Sequence, residues 1–245
     1  MVSQDGTTSV KIRDVITEDS QLLNLSNQAT IDKLEKSYQE VSNVIKMHCQ
    51  PYLAEIGGVH NALFNVPLYR GVQSQDANKA NIHNPLLSVD VRMNRQPKDT
   101  PLSVHHAIDE WFYYQTGYKF RSAGLFCTGR RQVAASYGGV CIVVPAGEFH
   151  YCWSSRYQDL YSDMEEYTYE NYDSGLSSGG IKQQMEELFS DDMALNDFLA
   201  DGQYQVDNGL IDAIGSKSEI MIVCKSAYLV NIDWCNAIER YLPMR

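Results

Sequence analysis

Apolar residues recur at helical intervals in some stretches and at strand intervals in others, and the two periods divide the chain. In residues 30–49, Ile31, Leu34, Tyr38, Val41 and Ile45 return every three or four positions. That spacing gathers them on one buried stripe of a helix. The helix is expected to end before Pro51, because a residue preceding proline resists the α conformation. "DTPLSVHHAIDEWFYYQTG" reads as a second helix. Thr100 or Asp99 would cap it, Pro101 would take the first helical position and Gly117 would stop it. Val104, Ile108, Trp111 and Phe112 form its apolar face.

Between and after these helices the signal is strand-like. "LFNVPLYRGV" reads as a loop running into a short strand, bounded by Pro67 and closed by Gly71. Residues 74–98 are rich in Asn, Asp, Gln and Pro, hence mostly loop, with a short strand at "LLSVDVRM". "AGLFCTG" is a strand with a turn, and "RRQVAASYG" is one or two helical turns. "GVCIVVP" is a β-branched strand that Pro145 is expected to end. After a break at "SGLSSGG", "IKQQMEELF" and "DMALNDFLA" read as short helices. "EIMIVC" and "AYLVNIDW" read as two strands with a turn at Lys225 and Ser226. Strands and helices do not alternate regularly, which favours α+β over a doubly wound parallel sheet.

The length, 245 residues, suits one domain, and 44% apolar residues suffice for a substantial core. Residues 1–29 form a polar lead and residues 30–245 the domain. Within it, residues 151–205 stand out as an acidic, tyrosine-rich insertion. "YCWSSRYQDLYSDMEEYTYENYD" holds six tyrosines and six acidic residues, with Arg156 its one strong base. It reads as a solvated surface insertion or as a binding lid.

Charge narrows the function classes. A formal net charge of −11 and a pI near 4.9 argue against general nucleic-acid or anionic-membrane binding, which needs a basic footprint. The start shows no apolar signal core and no apolar run reaches bilayer length, so a cytoplasmic protein is expected. The six cysteines include no C-x-x-C pair and read as reduced, buried thiols. His105 and His106 are adjacent on a helix, about 100° apart, so they do not readily share a metal; one of them is expected to pack in the core. No metal is expected. P-loop, dinucleotide-fingerprint, nucleophile-elbow and H-E-x-x-H motifs are absent.

"PLYRGV" poses a chemical problem. An arginine in an otherwise buried strand needs a carboxylate partner or an anionic ligand. The carboxylate reading names Glu219. For the ligand reading, three stretches matter: "LYRGV", "GLFCTG" followed by "RRQVAASYG" and "GVCIVVPAG", and "KSEIMIVCKSAYLVNI". In this order the chain resembles the arginine–serine–glutamate class of ADP-ribosyltransferases, the cholera-toxin kind, across roughly residues 63–232. The resemblance implies a split antiparallel or mixed β-sheet with flanking helices. It implies NAD as substrate, Arg70 gripping its pyrophosphate, and Gly71 letting the backbone approach. Thr128 would orient a catalytic Glu219, which would stabilise the ribosyl cation. Phe126 and Tyr137 would stack on nicotinamide, and Arg121 would supply a further phosphate contact, with Arg92, Arg95, Arg130 and Arg131 as alternatives. Of these, Arg121 is expected to be the most buried and Arg130 the least.

Two departures from that family stand out. Cys127 replaces the first Ser of the turn, which weakens hydrogen bonding to the glutamate. Lys217 replaces the outer glutamate that goes with arginine acceptors. The implied activity is mono-ADP-ribosyl transfer to a protein or other macromolecule, as in bacterial or viral effectors acting in the host cytoplasm. The alternatives are NAD glycohydrolysis and a non-catalytic protein that keeps the fold.

Overall fold

A computed structural model describes residues 28–73, 80–171, 180–216 and 218–242. The polar lead up to residue 27, the break at 174–179 and Lys217 lie outside the described residues. Described residues form a mixed α+β arrangement: one six-stranded antiparallel sheet with helices packed around it. No described helix is long and apolar enough to cross a membrane.

The first helix, α1 (Gln28–His48), buries Leu34, Val41 and Ile45 along the expected stripe. Cys49 interrupts it, and a second helix, α2 (Gln50–Ile56), begins at once with Pro51 in its first turn. Proline there starts a helix rather than ending one, because the N–H it lacks would have had no partner. A single π-type turn at Asn61–Asn65 leads to β1 (Tyr69–Val72), and β2 (Leu86–Asp90) follows. Helix α3 (Leu102–Thr116) closes on Gly117 in the left-handed conformation, as expected. Its cap differs from expectation. Pro101 occupies the cap position, no side chain caps the helix, and Thr100 is buried instead.

A short helix α4 (Phe120–Ala123) runs directly into β3 (Gly124–Cys127), and α5 (Arg131–Ala135) follows. Next, β4 (Gly139–Ser154) passes straight through Pro145. Val143 N–H donates to Leu68 carbonyl at 2.7 Å on the β1 side. Proline, two residues on, faces the same edge beyond the end of β1, where no ladder donor is required. Helices α6 (Leu160–Asn171), α7 (Ile181–Leu188) and α8 (Asp192–Asp201) precede β5 (Tyr204–Val206) and α9 (Leu210–Gly215). The chain then forms β6 (Ile220–Asn231) and α10 (Ile232–Tyr241). No turn occurs at Lys225 and Ser226: β6 is one strand, so the two expected strands are its halves.

A bulge explains why β6 read as two pieces. Ala146 pairs with Ser226 and Phe149 with Cys224, so Gly147 and Glu148 together oppose Lys225. Gly147 has φ +71°, which a glycine tolerates and which bends the strand pair. On one side of the bend, β1 and β2 flank the β4–β6 ladder; on the other, β3 and β5 flank it. The sheet therefore has two four-stranded halves that share their central pair, and every pairing is antiparallel.

Each face carries its own core. Ile220, Ile222, Cys224 and Tyr151 point to one cluster, with Ile45, Tyr52, Ile56 and Trp234. Their neighbours Met221, Val223 and Cys152 point to the other, with Ile108, Phe112, Met164 and Phe198. Alternate residues feed opposite cores, which is why the strand reads as continuously apolar. Residues 151–171, the described part of the stretch read as solvated, are thus not a solvated insertion. The first four belong to β4, and α6, α7 and α8 bury Leu160, Met164, Met185, Phe189, Leu195, Phe198 and Leu199. All six cysteines are free and buried, as expected.

Candidate functional site

The β1 and β3 strands meet where the two halves of the sheet separate. Tyr69 N–H donates to Thr128 carbonyl at 2.8 Å, and Thr128 N–H returns to Tyr69 carbonyl at 2.9 Å. This single bridge holds "YRG" against the end of "LFC". Glu219 stands at the mouth of β6, its N–H donating to Gln158 carbonyl at 2.7 Å. Between them lies a solvent-open cavity of about 260 Å³. All seven site residues read from the sequence line it: Arg70, Gly71, Arg121, Phe126, Thr128, Tyr137 and Glu219.

Among the described residues Arg70 has no carboxylate partner, as the ligand reading expects and the carboxylate reading does not; its Nη1 donates to Phe126 carbonyl at 2.9 Å. The other contacts differ from expectation in three places. The carboxylate goes instead to Arg121, whose Nη1 lies 3.2 Å from Glu219 Oε1. Thr128 does not hydrogen-bond Glu219; its hydroxyl accepts Arg130 N–H at 3.2 Å within its own turn. Gly71 is required by the chain's own packing, since a Cβ there would fall 2.2 Å from Ala134 carbonyl and 2.7 Å from Tyr137 Cβ. Arg121 is the buried one of the five, as expected, but Arg130 is half-buried and not the least buried, because its turn packs against the site. Arg92 and Arg131 are exposed and outside the cavity wall. Tyr137 is 66% exposed at the rim, free to cover a ring-shaped ligand.

Arg95, from the loop after β2, joins the site. Its guanidinium carbon sits 3.8 Å from the Phe126 ring centroid, and that of Arg121 sits 4.7 Å away. The half-buried ring therefore seats two guanidiniums while its own carbonyl holds a third. Burial, then repulsion from Arg70 and Arg121, pushes the Arg95 pKa down to about 10. Burial also pushes the Glu219 carboxyl up to about 7, against the pull of Arg121 and with help from Asp159. A glutamate so poised can carry charge or exchange a proton near neutrality. Burial raises the Cys127 thiol to about 12, which disfavours the nucleophilic thiolate.

A buried polar network positions Arg121. Asp109, on the apolar face of α3, accepts Arg121 N–H at 2.8 Å and Ser122 N–H at 3.2 Å, and it also accepts the Ser122 hydroxyl. His105, four residues earlier, contacts Ser122 Oγ at 3.1 Å. His105 is the core histidine of the His105–His106 pair, and His106 is exposed. Asp109 was not singled out from the sequence, although a His and an Asp spaced i, i+4 on an apolar helix face signal a satisfied buried pair. Gln158 and Asp159 were missed because they follow β4 in a loop with no motif. Among described residues no cluster of three metal-ligating side chains occurs.

The site offers three guanidiniums, one poised carboxylate and an exposed aromatic rim. That set can hold a phosphate and stabilise a neighbouring cation. No family model matches the chain, and no curated protein or solved structure shows significant similarity to it.

Proposed function

We propose that this chain is an NAD-dependent mono-ADP-ribosyltransferase with a split sheet of the arginine–serine–glutamate class. One observation supports the reading above the others. Arg70, Thr128 and Glu219, which the family resemblance selects from three distant stretches, line a single cavity. The bent β4–β6 pair flanked by β1 and β3 is the arrangement such a site needs.

Arg70 and the neighbouring guanidiniums bind the pyrophosphate. Phe126 and Tyr137 flank the nicotinamide. The bond from nicotinamide nitrogen to ribose C1 breaks, and its electron pair leaves with nicotinamide. The ionised Glu219 carboxylate stabilises the positive charge left on the sugar, as in glycoside cleavage. An acceptor nucleophile then bonds to C1 and loses its proton. The cavity, about 260 Å³, lies just below the roughly 300–1,000 Å³ of ordinary ligand pockets, a size suited to part of a dinucleotide.

A second reading, a protein that holds the dinucleotide without cleaving it, is favoured by two contacts. The Thr128 hydroxyl is engaged by Arg130, and Arg121 already occupies Glu219. Incubation with NAD tests both readings. Released nicotinamide supports catalysis, and NAD binding without release supports the second. Biotinylated NAD then separates transfer from hydrolysis: label on a macromolecule marks a transferase.

A further inference from the structure

Tyr118, His150 and Asp207 come from three separate parts of the chain and join in one hydrogen-bonded relay. Tyr118 sits in the turn between α3 and α4, His150 on β4 just past the bulge, and Asp207 directly after β5. The Tyr118 hydroxyl lies 2.7 Å from His150 Nε2, and His150 Nδ1 lies 2.6 Å from Asp207 Oδ2. An ionised carboxylate only accepts, so Nδ1 carries the proton of the neutral imidazole and Nε2 accepts from the phenol. The carboxylate is itself fixed. Its Oδ1 accepts Tyr151 N–H at 2.9 Å, and Asp207 N–H donates to Tyr151 carbonyl at 3.0 Å, with Asp207 in the left-handed region at φ +49°. Tyr118 N–H donates to Thr116 Oγ1 at 3.1 Å, and the Tyr118 ring stacks on His150 with centroids 4.0 Å apart. A hydroxyl within reach of a base that a third group orients is the arrangement of an activated nucleophile.

The relay is open to ligands and separate from the Arg70–Glu219 cavity, which none of its three residues lines. The side chains of His150 and Asp207 are 24% and 40% exposed, and Tyr118 is half-buried. Tyr118 and His150 border a groove of about 830 Å³, within the range of ordinary ligand pockets. Val91, Met93, Val223 and Tyr228 give it an apolar lining, and Lys225 and Glu148 offset each other in charge. No arginine among the described residues lines it, so a neutral electrophile with an apolar tail suits it better than a phosphoryl group. We propose that Tyr118 is a nucleophile for activated acyl groups, with His150 as its base and Asp207 orienting that base. Tyr118 Oη bonds to the acyl carbon while its proton passes to His150 Nε2. The bond from acyl carbon to leaving group breaks, and its electron pair departs with that group. Asp207 and Glu148, whose Oε1 lies 3.9 Å from Nε2, face the imidazolium so formed. The product is an O-acyl tyrosine, and its formation does not depend on NAD.

Limited acetylation with N-acetylimidazole, mapped by mass spectrometry, tests the site on the unmutated chain. Tyr114 and Tyr169, 84% and 67% exposed, are the references. Exposure alone would label them ahead of half-buried Tyr118. The relay should instead make Tyr118 at least about tenfold faster than either, a modest share of what general-base assistance supplies. His150→Gln should lower Tyr118 to the rate of the references or below, and Asp207→Asn should leave it between the two. Circular dichroism checks that each variant is folded. Labelling of Tyr118 no faster than that of Tyr114 and Tyr169, or unchanged in folded His150→Gln, overturns the proposal.

Discussion

A carboxyl with a pKa near neutrality makes Glu219 the side chain whose charge the medium can set. Its folded pKa, about 7, lies above a glutamate's ordinary value of about 4.5. Stability from the neutral form is therefore fully present below about pH 4.5 and is lost as pH rises through 7, amounting to at most about 3 kcal/mol. Glu219→Gln should flatten that slope, which urea unfolding of both proteins at pH 5 and pH 8 would show. Cleavage needs the ionised form, so the nicotinamide release rate should climb between about pH 6 and pH 8. Gly71→Ala tests the packing account of that glycine. The methyl group meets Ala134 carbonyl, and a loss of about 2–3 kcal/mol is expected in the same assay. The residues of the site were legible where short motifs exposed them, as with Arg70 and Glu219. Their partners were not, because Arg95 and Asp109 reach the cavity only through loop and helix placement that no local spacing encodes.

The element that aims the site is the α3–α4 junction. Asp109 satisfies two backbone N–H groups and one hydroxyl at the start of α4. Asp109→Ala should cost about 2–3 kcal/mol by leaving them unpaired. It should also weaken NAD binding, because Arg121 loses its seat. Asp109→Asn keeps one acceptor oxygen and should recover part of both losses, a rescue that simple cavity formation would not show. Helices α1, α3, α7 and α8 were readable from their apolar faces, whereas the acids and tyrosines of α6 hid its buried Leu160 and Met164. Continuity was the harder feature to read. Pro145 looked like the end of β4 because proline lacks a ladder donor, and Lys225–Ser226 looked like a turn because both are polar. The first sits where no donor is needed and the second opposite a bulge, both properties of a partner strand. The six-residue α9 and three-residue β5 gave too short a signal to separate from loop, and the first turn of α10 read as a continuation of the strand before it.

The fold class was legible because long apolar strands and amphipathic helices occur without regular alternation. The role of residues 151–205 was not, since surface acids and tyrosines masked a second core whose partners lie on α3 and β6. That core shares β4 and β6 with the first, so the two should unfold together. Phe198→Ala, emptying the centre of the α6–α8 layer, should cost about 3–5 kcal/mol. Fluorescence and circular dichroism should still report one coincident urea transition; two separated transitions would show that the cores are independent units. What joins the two halves also shapes the candidate site, because Arg70 and Glu219 share a cavity where β1 and β3 part. Nicotinamide released from NAD by the purified chain and by folded Glu219→Gln decides the matter. The ADP-ribosyltransferase reading requires steady release by the first and at least about a hundredfold less by the second. No release by the unmutated chain, or equal release by both, would contradict it.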